Sequence, residues 1–269
     1  MTGGVHRGDP LGTGERERFE RDLIAFCDRE LDLLGDIRGL EVLYAGGSSL
    51  LWVEGLSGRI GEGGSLTALD SDVERLVEAR ELLAGLDAAS PVRLFVGDVF
   101  KPPFGPRTFD LVYSAGLFHE LDVRERAAED ALAALACVTR PGGRISTSDF
   151  VDSSPAVQLE DEELQRELAH ETSGTELYGI GPPERLVALH QMILADVRWH
   201  ISPPHSVRHL DKVVLGEDEP AALSLLPANV GQRLRRRRKA WLERVRREGY
   251  TRPATLYVEG RVASAPRLS

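Results

Sequence analysis

Apolar side chains recur at intervals of three and four from residue 15 to 34, at Phe19, Leu23, Phe26, Cys27, Leu31 and Leu34, the spacing of one helix face. The pattern then changes to short strand-like segments at residues 41–45, 65–69, 92–96, 109–114 and 144–148, most of them rich in apolar residues. Between them, helix-like periods occupy 49–56, 72–86 and 123–138. Strands that alternate with helices, with no two of them joined as a hairpin, imply a parallel sheet with crossovers.

After Phe150 the pattern loosens. Residues 160–171 and 183–194 predict helices, 197–201 a strand, 220–248 one or two helices and 254–262 a last strand, with Gly179, Pro182, Pro183, Pro203 and Pro204 as breaks. The last strand lacks a long alternating crossover before it, so it is expected to run antiparallel. The fold expected is α/β: a doubly wound, mostly parallel seven-stranded sheet with helices on both faces, an N-terminal helix, and a helical insertion in the C-terminal half. Residues 1–14 hold five glycines and a proline and are expected to be a mobile lead. Residues 15–269 are expected to form a single domain: an N-terminal helix (15–39), a core of alternating strands and helices (40–150) and a less regular segment with the last strands (151–269).

Composition narrows the function. With 33 basic and 43 acidic side chains the net charge is −10, which excludes a generally basic nucleic-acid binder. The longest uncharged stretches, 42–53 and 220–232, fall short of the roughly 18 apolar residues of a membrane span. The first residues carry no apolar run of the secretory kind, so a cytoplasmic protein is expected. Cys27 and Cys137 lie far apart in helix-like segments and read as core residues rather than as a disulfide or metal knuckle.

Parallel sheets bind ligands outside the carboxyl ends of their strands, and three successive strand ends here carry suitable residues. The first is followed by Gly46, Gly47 and Ser48 before a helix, where small residues admit a ligand to the backbone; a plain glycine turn would read the same way. The second ends at Asp70 and Ser71, 24 positions after Gly46, where a carboxylate can accept both hydroxyl hydrogens of a ribose. Asp70, Ser71 or Asp72 could equally cap the next helix. The third ends at Gly97, Asp98 and Val99.

In order and spacing these elements resemble the class I S-adenosylmethionine-dependent methyltransferases, of Rossmann-like fold, over about residues 40–150. VLYAGGSSLLWVEGLSGRIGEGGSLTALD is similar to that family's first strand, glycine loop, helix and second strand; GDVFKPPFGPRTFDLVYSAGLFHEL to its third and fourth strands; RPGGRI to the turn before its fifth. The resemblance implies that S-adenosyl-L-methionine is the cofactor. It makes Gly46 the first loop glycine, Asp70 the ribose acid, Asp98 the acid at the adenine amino group, and Ser114, Ala115 and Gly116 the wall beneath methionine. Tyr44, Ser48 and Leu50 stand where the family has an acid and two further glycines. That departure motivates a second reading, a non-catalytic binding or regulatory protein that has kept the fold. A nicotinamide dinucleotide is a third choice, because its fingerprint needs glycines at Ser48 and Leu51.

Displacement at a sulfonium methyl needs positioning more than a base. His119 is the candidate for catalysis, just past the fourth strand. Nothing after Ser114 matches the Asn or Asp followed by Pro-Pro and an aromatic that holds a planar amine, so a small-molecule acceptor is expected. The resemblance implies that 40–150 is the cofactor-binding core and that 151–269 sets acceptor specificity, so Tyr178, Trp199 and His205 are candidates to line the acceptor pocket. His200, His205 and His209 lie within ten residues, and a helix starting after Pro204 would put His205 and His209 on one face, yet no completing ligand is evident and no metal is expected. Residues 231–249 carry a net charge of +7, leaving −17 on the rest of the chain. The basic helix over 233–247 is the one hint of nucleic acid, and its apolar stripe (Leu234, Trp241, Leu242, Val245) favours a surface helix whose arginines pair with the acidic body. No membrane partner is expected, and a homodimer is left open.

Overall fold

The computed structural model describes residues 10–84 and 88–263. The lead expected over 1–14 and the helix end expected at residue 86 fall in part outside them.

Seven strands form one sheet in the order β3-β2-β1-β4-β5-β7-β6. β1 (Glu41–Ala45), β2 (Ser65–Asp70), β3 (Val92–Val96), β4 (Phe109–Ala115) and β5 (Thr139–Phe150) run parallel to one another. β7 (Thr255–Arg261) lies antiparallel between β5 and β6 (Ala195–Ser202), as its missing crossover implied. The chain turns back on itself between β1 and β4, which places the switch-point crevice outside their carboxyl ends.

Alternation along the strands sorts side chains to two faces. Val42, Tyr44, Leu66, Leu111 and Tyr113 pack against Cys27 and Leu31 of α1 (Thr13–Asp32) and Val53, Leu56 and Ile60 of α2 (Leu50–Ile60). Leu43, Ala45, Val112, Ile145 and Val258 face Leu132 and Leu135 of α4 (Ala128–Val138) and Leu186 and Leu189 of α6 (Pro183–Ile193). α3 (Val73–Leu83) follows β2. A third cluster joins Phe19 of α1 to α5 (Ala156–Ser173), α7 (Leu210–Gly216) and α8 (Ala228–Glu248) through Val157, Leu164, Leu210, Val214, Trp241 and Val245. This helical layer is the C-terminal insertion.

Three expectations need correction. α4 begins at Ala128 rather than near 123, because residues 118–127 form a short 3-10 turn and a loop. Cys137 is exposed on α4 and is no core residue, whereas Cys27 is buried. No helix starts after Pro204: His205 forms an isolated bridge with Arg252, and His209, at φ +65°, caps α7. His205 and His209 therefore share no helix face.

Candidate functional site

The first loop is built from inside the protein. Gly46 takes φ +67°, and a Cβ there would meet the Leu117 side chain at 2.3 Å. A Cβ on Gly47 would lie 2.0 Å from the Tyr44 ring, which is buried beneath the loop and stacked on Tyr113 with centroids 5.9 Å apart. The amides of Gly46 and Gly47 both donate to the Leu69 carbonyl, at 2.8 and 3.1 Å. Tyr44 thus supports the loop as a core side chain and brings no carboxylate to the position where the family has an acid. Ser48 is buried, and Ser49 opens α2 without a side-chain cap. The amides of Ser48, Ser49, Leu50 and Leu51 donate to no backbone carbonyl among the described residues, so the positive end of α2 is open to an anionic group.

At the second strand end the two roles proposed for the acids separate. Asp72 is the cap of α3, accepting from Glu74 N (3.0 Å) and Arg75 N (3.1 Å). Asp70 Oδ1 accepts from Asp72 N at 2.9 Å, and Oδ2 has no partner among the described residues. Ser71 beside it is exposed. At the third, Gly97 N donates to the Asp70 carbonyl at 2.9 Å and ties the two ends together. Val99 turns its side chain into the core. Both oxygens of Asp98 are engaged: Oδ1 accepts from Phe100 N at 2.9 Å, and Oδ2 pairs with Arg126, whose guanidinium lies 3.8 Å above the Phe100 ring. A carboxylate has about four acceptor sites, so Asp98 keeps capacity for a further donor.

At the fourth strand end, only backbone and Ala115 are left to form a wall. The Ser114 hydroxyl is buried and donates to Thr147 Oγ1 (3.2 Å), which donates to His190 Nε2 (3.0 Å). His190 Nδ1 lies 2.9 Å from the Leu186 carbonyl, which can only accept, so that nitrogen carries the hydrogen. Burial holds His190 down at about 4, in keeping with a neutral ring. Gly116 follows at φ +68°.

His119 lies in the short turn Phe118–Glu120. Its Nδ1 is 2.6 Å from Asp149 Oδ1, and Asp149 also accepts from the amides of Phe118, His119 and Phe150. Burial works against the imidazolium, but the charge and hydrogen bond of Asp149 outweigh it and raise His119 to about 9. The ring is thus a cation at neutral pH, tilted by 38° against the Phe150 ring with centroids 4.8 Å apart. A protonated imidazole takes no proton, so His119 in this state is a donor and not a base.

Of the acceptor-side candidates, Tyr178 and His205 lie near this end and Trp199 does not. The loop at Tyr178 runs against the His119 turn, with Gly179 N donating to the His119 carbonyl at 2.9 Å, and Arg185 stacks on the Tyr178 ring at 3.8 Å. His205 stacks on Phe26 of α1 at 5.6 Å and contacts Arg29 Nη2 at 2.7 Å. Trp199 is mid-strand on the edge strand β6 and 54% exposed. His200 also lies in β6, and no group of three or more side chains suited to a metal is gathered among the described residues. The arginines of α8 pair largely with the acidic body: Arg233 and Arg237 with Glu167, Arg244 with Glu160, Arg235 with Glu219. No helix of the described residues is long and apolar enough to cross a membrane.

The sequence reading passed over Asp149, Glu30 and Arg252. Asp149 follows the expected end of β5 by one residue, so the strand-end rule that singled out Asp70 and Asp98 reaches it as well. Glu30 lies in the middle of a helix pattern, and its burial against Ser148 and Thr255 is purely tertiary.

Comparison with known proteins agrees with this geometry. Residues 42–143 match the family described as "Methyltransferase domain". The ubiquinone/menaquinone biosynthesis C-methyltransferase UbiE of Azotobacter vinelandii is 33% identical over 128 residues, 47% of this chain and 49% of that protein. The chain thus matches about half the length of this curated relative. Among solved structures, the YcgJ protein of Bacillus subtilis aligns over 88% of this chain and 99% of its own, at TM-score 0.55 and 15% identity. Phosphoethanolamine N-methyltransferase 2 of Haemonchus contortus, solved with phosphomonomethylethanolamine and S-adenosylhomocysteine, aligns over 88% of this chain and 52% of its own, at TM-score 0.54 and 15% identity. Strand order, switch-point crevice and family match agree on a methyltransferase-type domain built around residues 42–143.

Proposed function

We propose that this chain transfers a methyl group from S-adenosyl-L-methionine to a small-molecule acceptor by in-line displacement. The observation that carries the reading is Asp70. With Asp72 doing the capping, Asp70 keeps one carboxylate oxygen without a protein partner, at a strand end tied to Gly97 and beside the open start of α2. That donor and acceptor set fits an adenosyl group. Asp70 would accept the ribose hydroxyls, Asp98 the adenine amino hydrogens, and the backbone at Gly46, Gly47, Ser48, Ala115 and Gly116 would border the methionine portion.

The cofactor supplies an activated methyl on a sulfonium; the protein supplies position and the exclusion of water. α1, α5 and the 176–181 loop surround the carboxyl ends of β4 and β5 on the acceptor side. His119, held as an imidazolium by Asp149, orients or stabilises an electron-rich acceptor and does not deprotonate it. The acceptor must therefore present a lone pair or carbanion that needs no strong base from His119.

A second reading rests on the loop itself. The Tyr44 ring and Leu117 take the space around Gly47 and Gly46, and both glycine amides are spent on Leu69, as in a loop kept for packing alone. Calorimetric titration with S-adenosylmethionine, S-adenosylhomocysteine and NAD, repeated on Asp70→Ala, separates the readings. Micromolar binding of the first two, weakened about ten- to a hundredfold in the variant, is expected. No heat from either at millimolar ligand would leave a methyltransferase fold without the activity, and binding of NAD alone would replace the cofactor.

A further inference from the structure

Arg252 precedes β7 and enters the layer between α1 and the end of β5. Its guanidinium carbon lies 4.9 Å from the centre of the Phe26 ring and 5.4 Å from that of Phe150. Phe150 carries His119 at 4.8 Å as well, so two cationic side chains share one aromatic ring at the carboxyl end of the sheet. The Arg252 backbone is fixed by two hydrogen bonds with His205, at 2.8 and 3.2 Å.

Among the described residues the guanidinium makes no ion pair. No carboxylate among the described residues comes within ion-pairing distance of it, and its Nε is sealed from solvent with no acceptor. The nearby acids are otherwise committed or apart. Glu30 accepts from Ser148 and Thr255, while Glu162 is close enough to influence Arg252 electrostatically and makes no ion pair with it. Arg252 is part-buried with its Nε sealed, a costly place to leave a cation unpaired, and a fixed guanidinium fork is the side chain best shaped for a carboxylate or phosphate.

We propose that Arg252 is the seat for an anionic group of the methyl acceptor, a carboxylate or a phosphate, with the body of that molecule lying on Phe26 and Phe150 beside His119. The proposal rests on the methyltransferase reading and narrows it to an acidic acceptor. Both anions share the planar or near-planar oxygen pair that a guanidinium binds through two parallel hydrogen bonds. The aromatic walls then supply area for an apolar or planar body, and the imidazolium of His119 adds a second positive group on the same side.

The test titrates benzoate, phenyl phosphate and benzamide into the protein saturated with S-adenosylhomocysteine, and into the free protein. One of the two anions is expected to bind at millimolar concentration or below, which identifies the oxygen group, and benzamide about tenfold more weakly or not at all. Arg252→Gln is expected to weaken the anion about tenfold or more, Arg252→Lys less, and neither to change S-adenosylhomocysteine affinity. A role in packing alone would instead show as a fall in melting temperature with no effect on the anion. Should Arg252→Gln not fold, Arg252→Lys against benzamide carries the test. Silence from both anions, equal binding of benzamide, or an unchanged anion affinity in Arg252→Gln overturns the proposal. Failure of S-adenosylhomocysteine to bind the wild type overturns the methyltransferase reading instead, and the anion titration of the free protein is then judged by itself.

Discussion

The Tyr44 ring lies directly under Gly47, so close that a single added methyl would sit 2.0 Å from its Cζ. One glycine of the loop is therefore demanded by a core side chain. The Gly47→Ala variant is expected to lose about 1–3 kcal/mol, since the buried Tyr44 has no open space to retreat into. Adding Tyr44→Leu should recover most of that loss, which urea denaturation of both single variants and the double variant measures. Additive losses would mean that the ring and the glycine do not touch.

The His119–Asp149 pair sets a pH dependence of stability. His119 is raised from its ordinary 6.5 to about 9 in the folded protein, so folding takes up a proton in this range. Its contribution is then fully present below about pH 6.5 and is lost as pH rises through about 9. The loss should be on the order of 3 kcal/mol at most, from the usual 1.36 kcal/mol per pH unit. Urea unfolding between pH 6 and pH 9.5, in the wild type and in His119→Gln, is the measurement, with about these limits set by the same linkage. A wild-type curve as flat as that of the variant would show that His119 is neutral in the fold.

The core of the sheet was legible because the strand-like segments alternate with helix-like ones, and β1 and β3 fall where the expected strands do. The site was legible for the same reason wherever it stands at a strand end, as Asp70 and Asp98 do. What could not be read depends on contacts between segments remote in sequence. Whether Asp70 caps α3 or faces the crevice depends on which acid the first turn recruits, and Asp72 is the one. The state of His119 depends on Asp149, thirty residues away, and the unpaired state of Arg252 on rings from α1 and β5. The His205 and His209 spacing suggested a helix that the chain does not form, because residue 205 is held instead by backbone pairing to Arg252. Trp199 looked like a pocket aromatic because it follows the fifth strand, where the family resemblance places acceptor specificity, and only the sheet order shows that its strand is an edge.

Glu167 accepts from both Arg233 and Arg237, which fasten α8 to α5. The three side chains remain partly exposed, at 20%, 46% and 38%, so the pairs are screened and each is worth about 0–1 kcal/mol. Glu167→Gln is expected to cost about 1 kcal/mol at low salt and less than half of that near 1 M salt, where the screening length is about 3 Å. Thermal melts at the two ionic strengths test it. A loss unaffected by salt would mean that Glu167 acts through packing and not through charge.

Asp70 and Asp98 differ in what they have free, and cofactor affinity should register the difference. Asp70 has an oxygen with no protein partner, whereas Asp98 shares one with Arg126 and the other with the Phe100 amide. Removing the free acceptor by Asp70→Ala deletes a charge-assisted pair of hydrogen bonds and should weaken S-adenosylhomocysteine by about ten- to a hundredfold. Asp98→Ala should cost less, because part of what that carboxylate does is already spent within the protein. Arg126→Ala points the other way: it releases Asp98 Oδ2 toward the crevice, and a severalfold gain in affinity is expected. Calorimetry on the three variants ranks them. If Asp98→Ala costs more than Asp70→Ala, the adenine side dominates and Arg126 must move aside on binding. If Arg126→Ala weakens binding, Arg126 is itself a cofactor contact and the pairing with Asp98 serves to hold it in place.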